Sequence, residues 1–369
     1  MPLSDRILMG PGPSNVYPEV ALALERPLLG HLDPDFLAVL DETCSRLRTV
    51  FCTDNPATLP VSGTGSAGME AAFVNLVGPG DTVVVAVNGL FGERMCDVAG
   101  RCGADVVRVD EEWGRPVDPE RVLAAHPAPK VIAVVHAETS TGVRNDVAPL
   151  GAGKGDALLL VDCVTSLGGI TVDITGWGVD VSYSGTQKCL GVPPGLAPFT
   201  IGPAAMGRRI ERPRSWYLDL GMLAEYTGPA SGSATRRYHH TAPVTMIMAL
   251  HAGLGAIIDE GLEAAVERHD RCGRALQEGL EALGFELFAP QDNRLPELTT
   301  VTWPAGLLPD GMDEAAVRRT LLERYGIEIG GGVGAWAGRM WRIGCMGHTA
   351  RMRNVTLLLS ALTEVLGRS

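Results

Sequence analysis

Short apolar runs alternate with amphipathic stretches through the first two thirds of the chain. Thr82–Val87, Asp105–Val109, Lys130–His136, Ala157–Val161 and Val179–Tyr183 are rich in Val, Ile and Leu. Most of them run apolar without alternating, which predicts strands buried on both faces. Helical spacing predicts helices over Gly68–Val77, Phe91–Cys102 and Asp118–Ala125. This βα alternation predicts an α/β fold with a mainly parallel sheet covered by helices. In such sheets ligands gather at the carboxyl ends of the strands.

The last third is patterned differently. Leu262, Val266, His269, Leu276, Leu280 and Leu283 recur at helical spacing, as do Val355, Leu358, Leu359, Leu362 and Leu366. Strands are predicted at Thr299–Trp303 and Met340–Ile343, and a helix at Asp313–Tyr325. The pattern is α+β. We expect an N-terminal segment of residues 1–15, a large α/β domain over 16–259 and a small α+β domain over 260–369. One connection looks short. A parallel crossover usually needs a dozen residues or more, and Val147–Asp156 contains Pro149 and three glycines. An irregular loop is therefore predicted over Pro149–Gly155.

Composition narrows the partners. Apolar residues make up 46% of the 369 and charged residues 20%, as in a folded globular chain despite 46 Gly and 25 Pro. No apolar run approaches the roughly 18 residues of a membrane span. A net charge of −12 disfavours nucleic acid. The N-terminus lacks a basic stretch followed by an apolar one, and the chain ends Gly367-Arg368-Ser369. The expected location is the cytoplasm. Eight scattered cysteines without a CxxC pair read as reduced, mostly core thiols. Neither the His239-His240 pair nor any other histidine spacing suggests a metal site.

Three local patterns carry candidate chemistry. Lys188 follows a buried-type strand inside Ser184-Gly-Thr-Gln-Lys-Cys-Leu-Gly. A buried lysine must shed its charge, and one that forms a Schiff base does so; a solvated loop lysine fits the same pattern. Asp162 ends the apolar run Ala157–Val161. It suits the acid that keeps a pyridine nitrogen protonated, and equally a helix N-cap. The turn Ser62-Gly-Thr-Gly-Ser-Ala-Gly68 opens a helical stretch, where small residues and hydroxyls suit an anion. It is not a P-loop; Gly63, Gly65 and Gly68 have GxGxxG spacing but precede the first strand read from the pattern, Thr82–Val87, and no GxGxxG follows that strand, which argues against a nicotinamide dehydrogenase.

Those patterns, in that order, resemble the class V (fold type I) pyridoxal-phosphate aminotransferases of the alanine–glyoxylate and serine–glyoxylate group. The resemblance runs nearly end to end: Gly10–Asn15, Ser62–Ala72, Asn88–Arg94, His136–Gly142, Val161–Gly169, Tyr183–Lys188, Tyr238–Pro243 and Trp341–Gly344. It implies a seven-stranded, mainly parallel sheet, pyridoxal 5′-phosphate as cofactor, and a homodimer with shared active sites. Lys188 would be the Schiff-base and proton-transferring lysine, and Asp162 the partner of the ring nitrogen. Val164 and Phe91 would flank the ring, and Thr139 would contact its phenolic oxygen. Thr64, Gly65, Ser66 and Gln187 would bind the phosphate, joined by Tyr238 and Thr241 of the neighbouring subunit. Some relatives carry His where this chain has Ser66. Arg342, with Gly10, would hold the substrate carboxylate.

The implied reaction is ping-pong amino transfer from alanine or serine to glyoxylate or pyruvate. Gly330–Arg339 contains no cysteine, which argues against a desulfurase. Transfer from pyridoxamine, an aminophosphonate or a biosynthetic intermediate remains an alternative, as does a non-catalytic binding protein on this fold.

Overall fold

The computed structural model describes residues 5–233 and 235–368. Seven strands form the main sheet: β1 (Ala57–Ser62), β2 (Thr82–Val87), β3 (Asp105–Asp110), β4 (Val131–Val135), β5 (Leu158–Asp162), β6 (Val181–Tyr183) and β7 (Leu196–Ile201). Their order across the sheet is β1-β7-β6-β5-β4-β2-β3. Only β7 runs antiparallel, to β1 on one side and β6 on the other. Every residue of β4 and β5 is buried, as their unbroken apolar runs require. The fold is therefore the expected α/β architecture with a mostly parallel central sheet.

The strands absent from the hydrophobic pattern are β1 and β7. Each carries a proline, and Pro60 lies opposite Pro198 in the ladder. Proline removes a ladder donor and marks a segment as turn or edge. Here β1 is itself an edge strand, so Pro60 is tolerated there.

The loop expected over Pro149–Gly155 is instead a short helix, Ala148–Gly153. Pro149 sits in its first turn, where the missing N–H costs nothing. The glycines serve packing. A Cβ on Gly151 would lie 1.7 Å from the Trp177 carbonyl oxygen, and one on Gly153 would lie 2.4 Å from Leu123. Glycines selected for close approach resemble helix breakers when only the sequence is known. Gly151→Ala should lower stability by about 1–3 kcal/mol, because the helix must shift off Trp177; urea unfolding measures it.

A second, antiparallel sheet of β8 (Glu286–Leu287), β9 (Leu298–Thr302), β10 (Gly330–Gly331) and β11 (Trp341–Gly344) has the order β8-β9-β11-β10. Helices Leu262–Ala282, Glu314–Tyr325 and Met352–Val365 contribute Leu276, Leu321 and Leu358 to its core. The N-terminal strand belongs with this layer. Ile7–Leu8 pairs with Ile327–Glu328, and Met9 is buried in the same cluster. The main core is separate and runs from Tyr17 to Ala265. A small third cluster, including Ala137, Cys189, Leu298 and Met346, lies where the two meet. Among the described residues no single helix is long and apolar enough to cross a membrane.

Candidate active site

The carboxyl ends of β1, β2, β4, β5 and β6 converge on one cavity of about 230 Å³. Thr64, Gly65 and Ser66 enter it from the turn after β1, and Phe91 from the helix Leu90–Arg101 after β2. Thr139 follows β4, Asp162 ends β5 with Val164 just beyond, and Gln187 and Lys188 follow β6. Nine residues singled out from the sequence therefore share one wall system, although they span positions 64 to 188.

Local structure explains how each is held. Thr64 is the N-cap of the helix Gly65–Leu76, so that helix's free N–H groups and its dipole face the cavity. A Cβ on Gly65 would lie 2.9 Å from Val164 Cγ2, so the backbone must stay bare there. Gly68 sits equally tightly on Tyr183 and seats the helix on the sheet. The buried Oε1 of Gln187 has no hydrogen-bond partner among the described residues. Asp162 is fixed at both oxygens: Val164 N donates to Oδ1 at 2.8 Å and Tyr183 OH donates to Oδ2 at 2.8 Å.

Lys188 is 9% exposed, and its Nζ donates to the Pro11 carbonyl. The Gly10–Pro13 turn lies directly over it. Gly12 has φ +106°, and a Cβ there would lie 2.6 Å from Nζ, so only glycine fits. Arg342, on β11, is not among the residues lining the cavity; its Nε donates to the Gly331 carbonyl at 2.8 Å, and its charge is felt at Lys188. Gly10 packs beside that strand, since a Cβ on Gly344 would overlap its carbonyl.

Tyr238 and Thr241 are not brought to this cavity. Both are exposed, and Tyr238 lies against His31 with ring centres 5.5 Å apart. His239 and His240 contact each other, Nδ1 to Nδ1 at 2.8 Å. Among the described residues no three His, Cys, Asp or Glu side chains gather as a metal site.

The model of the family Aminotransferase class-V matches residues 22–351. The chain belongs to the class-V aminotransferases. It is 45% identical to an alanine–glyoxylate aminotransferase of Nostoc sp. whose crystal structure superposes with a TM-score of 0.93, covering 99% of this chain and 96% of that one. It is 38% identical to the alanine–glyoxylate aminotransferase of Drosophila melanogaster, over 99% of this chain and 93% of that protein. It is 37% identical to the (S)-ureidoglycine–glyoxylate transaminase of Bacillus subtilis, over 98% of this chain and 91% of that protein.

The charges of this class-V aminotransferase are tuned by burial. Desolvation, then the nearby Arg342, brings Lys188 down to about 8. Desolvation carries Asp162 up to about 6 against its two hydrogen bonds and the nearby Lys188. The Arg342 guanidinium is itself lowered by burial, with Glu138 opposing that shift.

Two polar residues of the site lay within the quoted motifs without being singled out. Arg94 lines the cavity, with its guanidinium 4.9 Å from the Phe91 ring centre and Nη1 3.4 Å from Ser66 Oγ. Its signal was present, because Phe91 and Arg94 are three apart on one helix face. Glu138 is fully buried behind Phe91 and Thr139.

Proposed function

We propose that this enzyme moves the amino group of a small amino acid, alanine or serine, to glyoxylate, using pyridoxal 5′-phosphate held in the cavity. The observation that carries the proposal is the shared cavity of Lys188 and Asp162, with Phe91 and Val164 also lining it. The residues suit that cofactor. A helix N-terminus, two hydroxyls and the Gln187 side chain, whose NH₂ can donate, all line the cavity, and the bare backbone at Gly65 leaves room for a phosphate. All three relatives named above take glyoxylate by name, which supports that acceptor; pyruvate is the alternative.

Thr64, Gly65, Ser66 and Gln187 would hold the phosphate, with Tyr238 and Thr241 supplied by a second copy of the chain. Asp162 would face the ring nitrogen, Thr139 the phenolic oxygen, and Phe91 and Val164 the two ring faces. When bound, the cofactor supplies an electron sink for the bond broken at the substrate Cα. The chain supplies the rest. The lowered Lys188 amine is partly neutral near neutral pH, so its Nζ would hold the cofactor and, once displaced by the substrate amine, would carry the proton from the substrate Cα to the cofactor's aldehyde carbon. Asp162, held as an acceptor by Val164 N and Tyr183 OH, keeps the ring nitrogen protonated. The Gly10–Pro13 turn lies close over Lys188, which favours small donors. The homodimer and a cytoplasmic location belong to the same proposal.

Arg342 would grip the substrate carboxylate with two parallel N–H donors, which lysine cannot reproduce. Arg342→Lys should therefore lower kcat/KM for the amino donor about 10- to 100-fold. An unchanged kcat/KM removes the clamp.

The deciding experiment is a half-reaction screen. Alanine or serine should convert the cofactor's visible band to that of its amine form, and glyoxylate should restore it. Failure of every amino acid overturns the proposal. A ureido amine, of the kind the Bacillus subtilis relative uses by name, is the second donor reading, and pyridoxamine belongs in the same screen.

A further inference from the structure

The helix Leu90–Arg101 presents Phe91 to the cavity, yet it has no side-chain cap of its own. A helix start leaves its first N–H groups unpaired, and burying them without acceptors is costly. Here they are paired from forty-odd residues away. Glu138 Oε2 accepts from Phe91 N at 3.1 Å and from Gly92 N at 3.4 Å. Ser140 Oγ accepts from Leu90 N at 2.9 Å and donates to Glu138 Oε1 at 2.5 Å. Ser140 N donates to the same Oε1 at 3.0 Å. Both carboxylate oxygens are thus filled by donors, with no water-exposed side.

The approach is as close as backbone allows. Gly89, the N-cap position, would place a Cβ 2.4 Å from Glu138 Cγ and Cδ and from Ser140 Oγ. Any other residue there would push the acid off the helix. Thr139 lies between the two capping residues and lines the cavity itself. One buried knot therefore controls two groups of the candidate site, Phe91 on the helix and Thr139 after β4.

We propose that Glu138, with Ser140, is a positioning residue that locks the first turn of the Phe91 helix to the Thr139 segment and so sets the Phe91 ring over the cofactor. This rests on the proposal that the cavity takes pyridoxal 5′-phosphate. The role calls for an acceptor-only side chain. An amide would turn an NH₂ donor toward backbone N–H groups or toward Ser140. Burial raises the Glu138 acid to about 7, its hydrogen bonds hold it down, and its negative field offsets the burial of Arg342.

The test is a double-mutant cycle read on cofactor binding. Glu138→Gln should weaken equilibrium binding of pyridoxal 5′-phosphate by about tenfold or more and change the visible circular dichroism of the bound cofactor. In a Phe91→Leu background the same substitution should add less than about threefold, because its effect passes through Phe91. An unchanged affinity and dichroism, or an equal loss in both backgrounds, overturns the proposal. Should Glu138→Gln not fold, Ser140→Ala removes the Leu90 acceptor and one donor to the acid. It should then show the same pattern at smaller size, and additive behaviour there overturns the proposal too. Wild-type protein that binds no pyridoxal 5′-phosphate sinks the cofactor reading itself, an outcome separate from an indifferent Glu138 variant.

Discussion

Lys188→Ala should reduce amino transfer by at least about 10⁴-fold, because on the proposed reading one side chain would perform both covalent attachment and proton transfer. The surroundings offer no substitute. Among the residues lining the cavity, Lys188 is the only lysine, and the nearest cations, Arg94 and Arg342, carry guanidinium groups that do not release protons near neutral pH. The depressed Lys188 pKa of about 8 is a product of burial, so a lysine placed elsewhere on the rim would stay protonated. Two measurements separate attachment from chemistry. Wild-type protein treated with pyridoxal 5′-phosphate and borohydride should gain one cofactor mass on the peptide containing Lys188, and the variant should gain none. Single-turnover rates with alanine should collapse in parallel. Turnover within about a hundredfold of wild type would take position 188 out of the reaction.

What the chain reveals before folding follows from how far apart the interacting residues lie. Strands β4 and β5 are legible because burial on both faces demands an unbroken apolar run, and Asp162 and Lys188 stand out because each ends or follows such a run. The phosphate-type turn is legible because hydroxyls, glycines and the helix start are neighbours in sequence. Pro60 and Pro198 hide β1 and β7, since a proline's tolerance depends on strand position in a sheet not yet assembled. Gly151 and Gly153 hide the helix Ala148–Gly153, since their purpose is contact with Trp177 and Leu123. Glu138 is the extreme case. Nothing within its own segment marks it as a helix cap, because the N–H groups it accepts from lie 47 residues earlier at Phe91 and 46 at Gly92. Tyr238 and Thr241 are a different matter, since their proposed site belongs to a second chain and one chain leaves them exposed.

Asp162→Asn should lower kcat by roughly 10²- to 10⁴-fold while leaving the fold intact. The substitution keeps the shape, removes the charge and turns one acceptor into a donor. Asp162 is pinned by Val164 N and Tyr183 OH, both donating to it, and an amide nitrogen would face one of those donors with another donor. On the proposed reading the ring nitrogen would not be held protonated without the carboxylate, and the electron sink would weaken where the Cα bond breaks. The pH dependence of stability gives an independent check. In the cofactor-free protein the Asp162 pKa of about 6 stands above its ordinary 3.8, because burial favours the neutral acid. Its contribution to stability is then complete below 3.8 and is lost as pH rises through about 6. Asn has no such loss, so the apo variant should gain in Tm relative to apo wild type between about pH 4 and pH 7. Bound cofactor should reverse the sign for wild type: a cationic ring nitrogen beside Asp162 would draw its pKa down, and the pair would then stabilise the protein at neutral pH and lose that stabilisation on acidification. The cofactor should therefore raise Tm more at pH 7 than at about pH 4 in wild type, and by nearly the same amount at both in Asp162→Asn. A cofactor-induced Tm rise with the same pH dependence in both proteins would show that the acid at the end of β5 does not meet the ring.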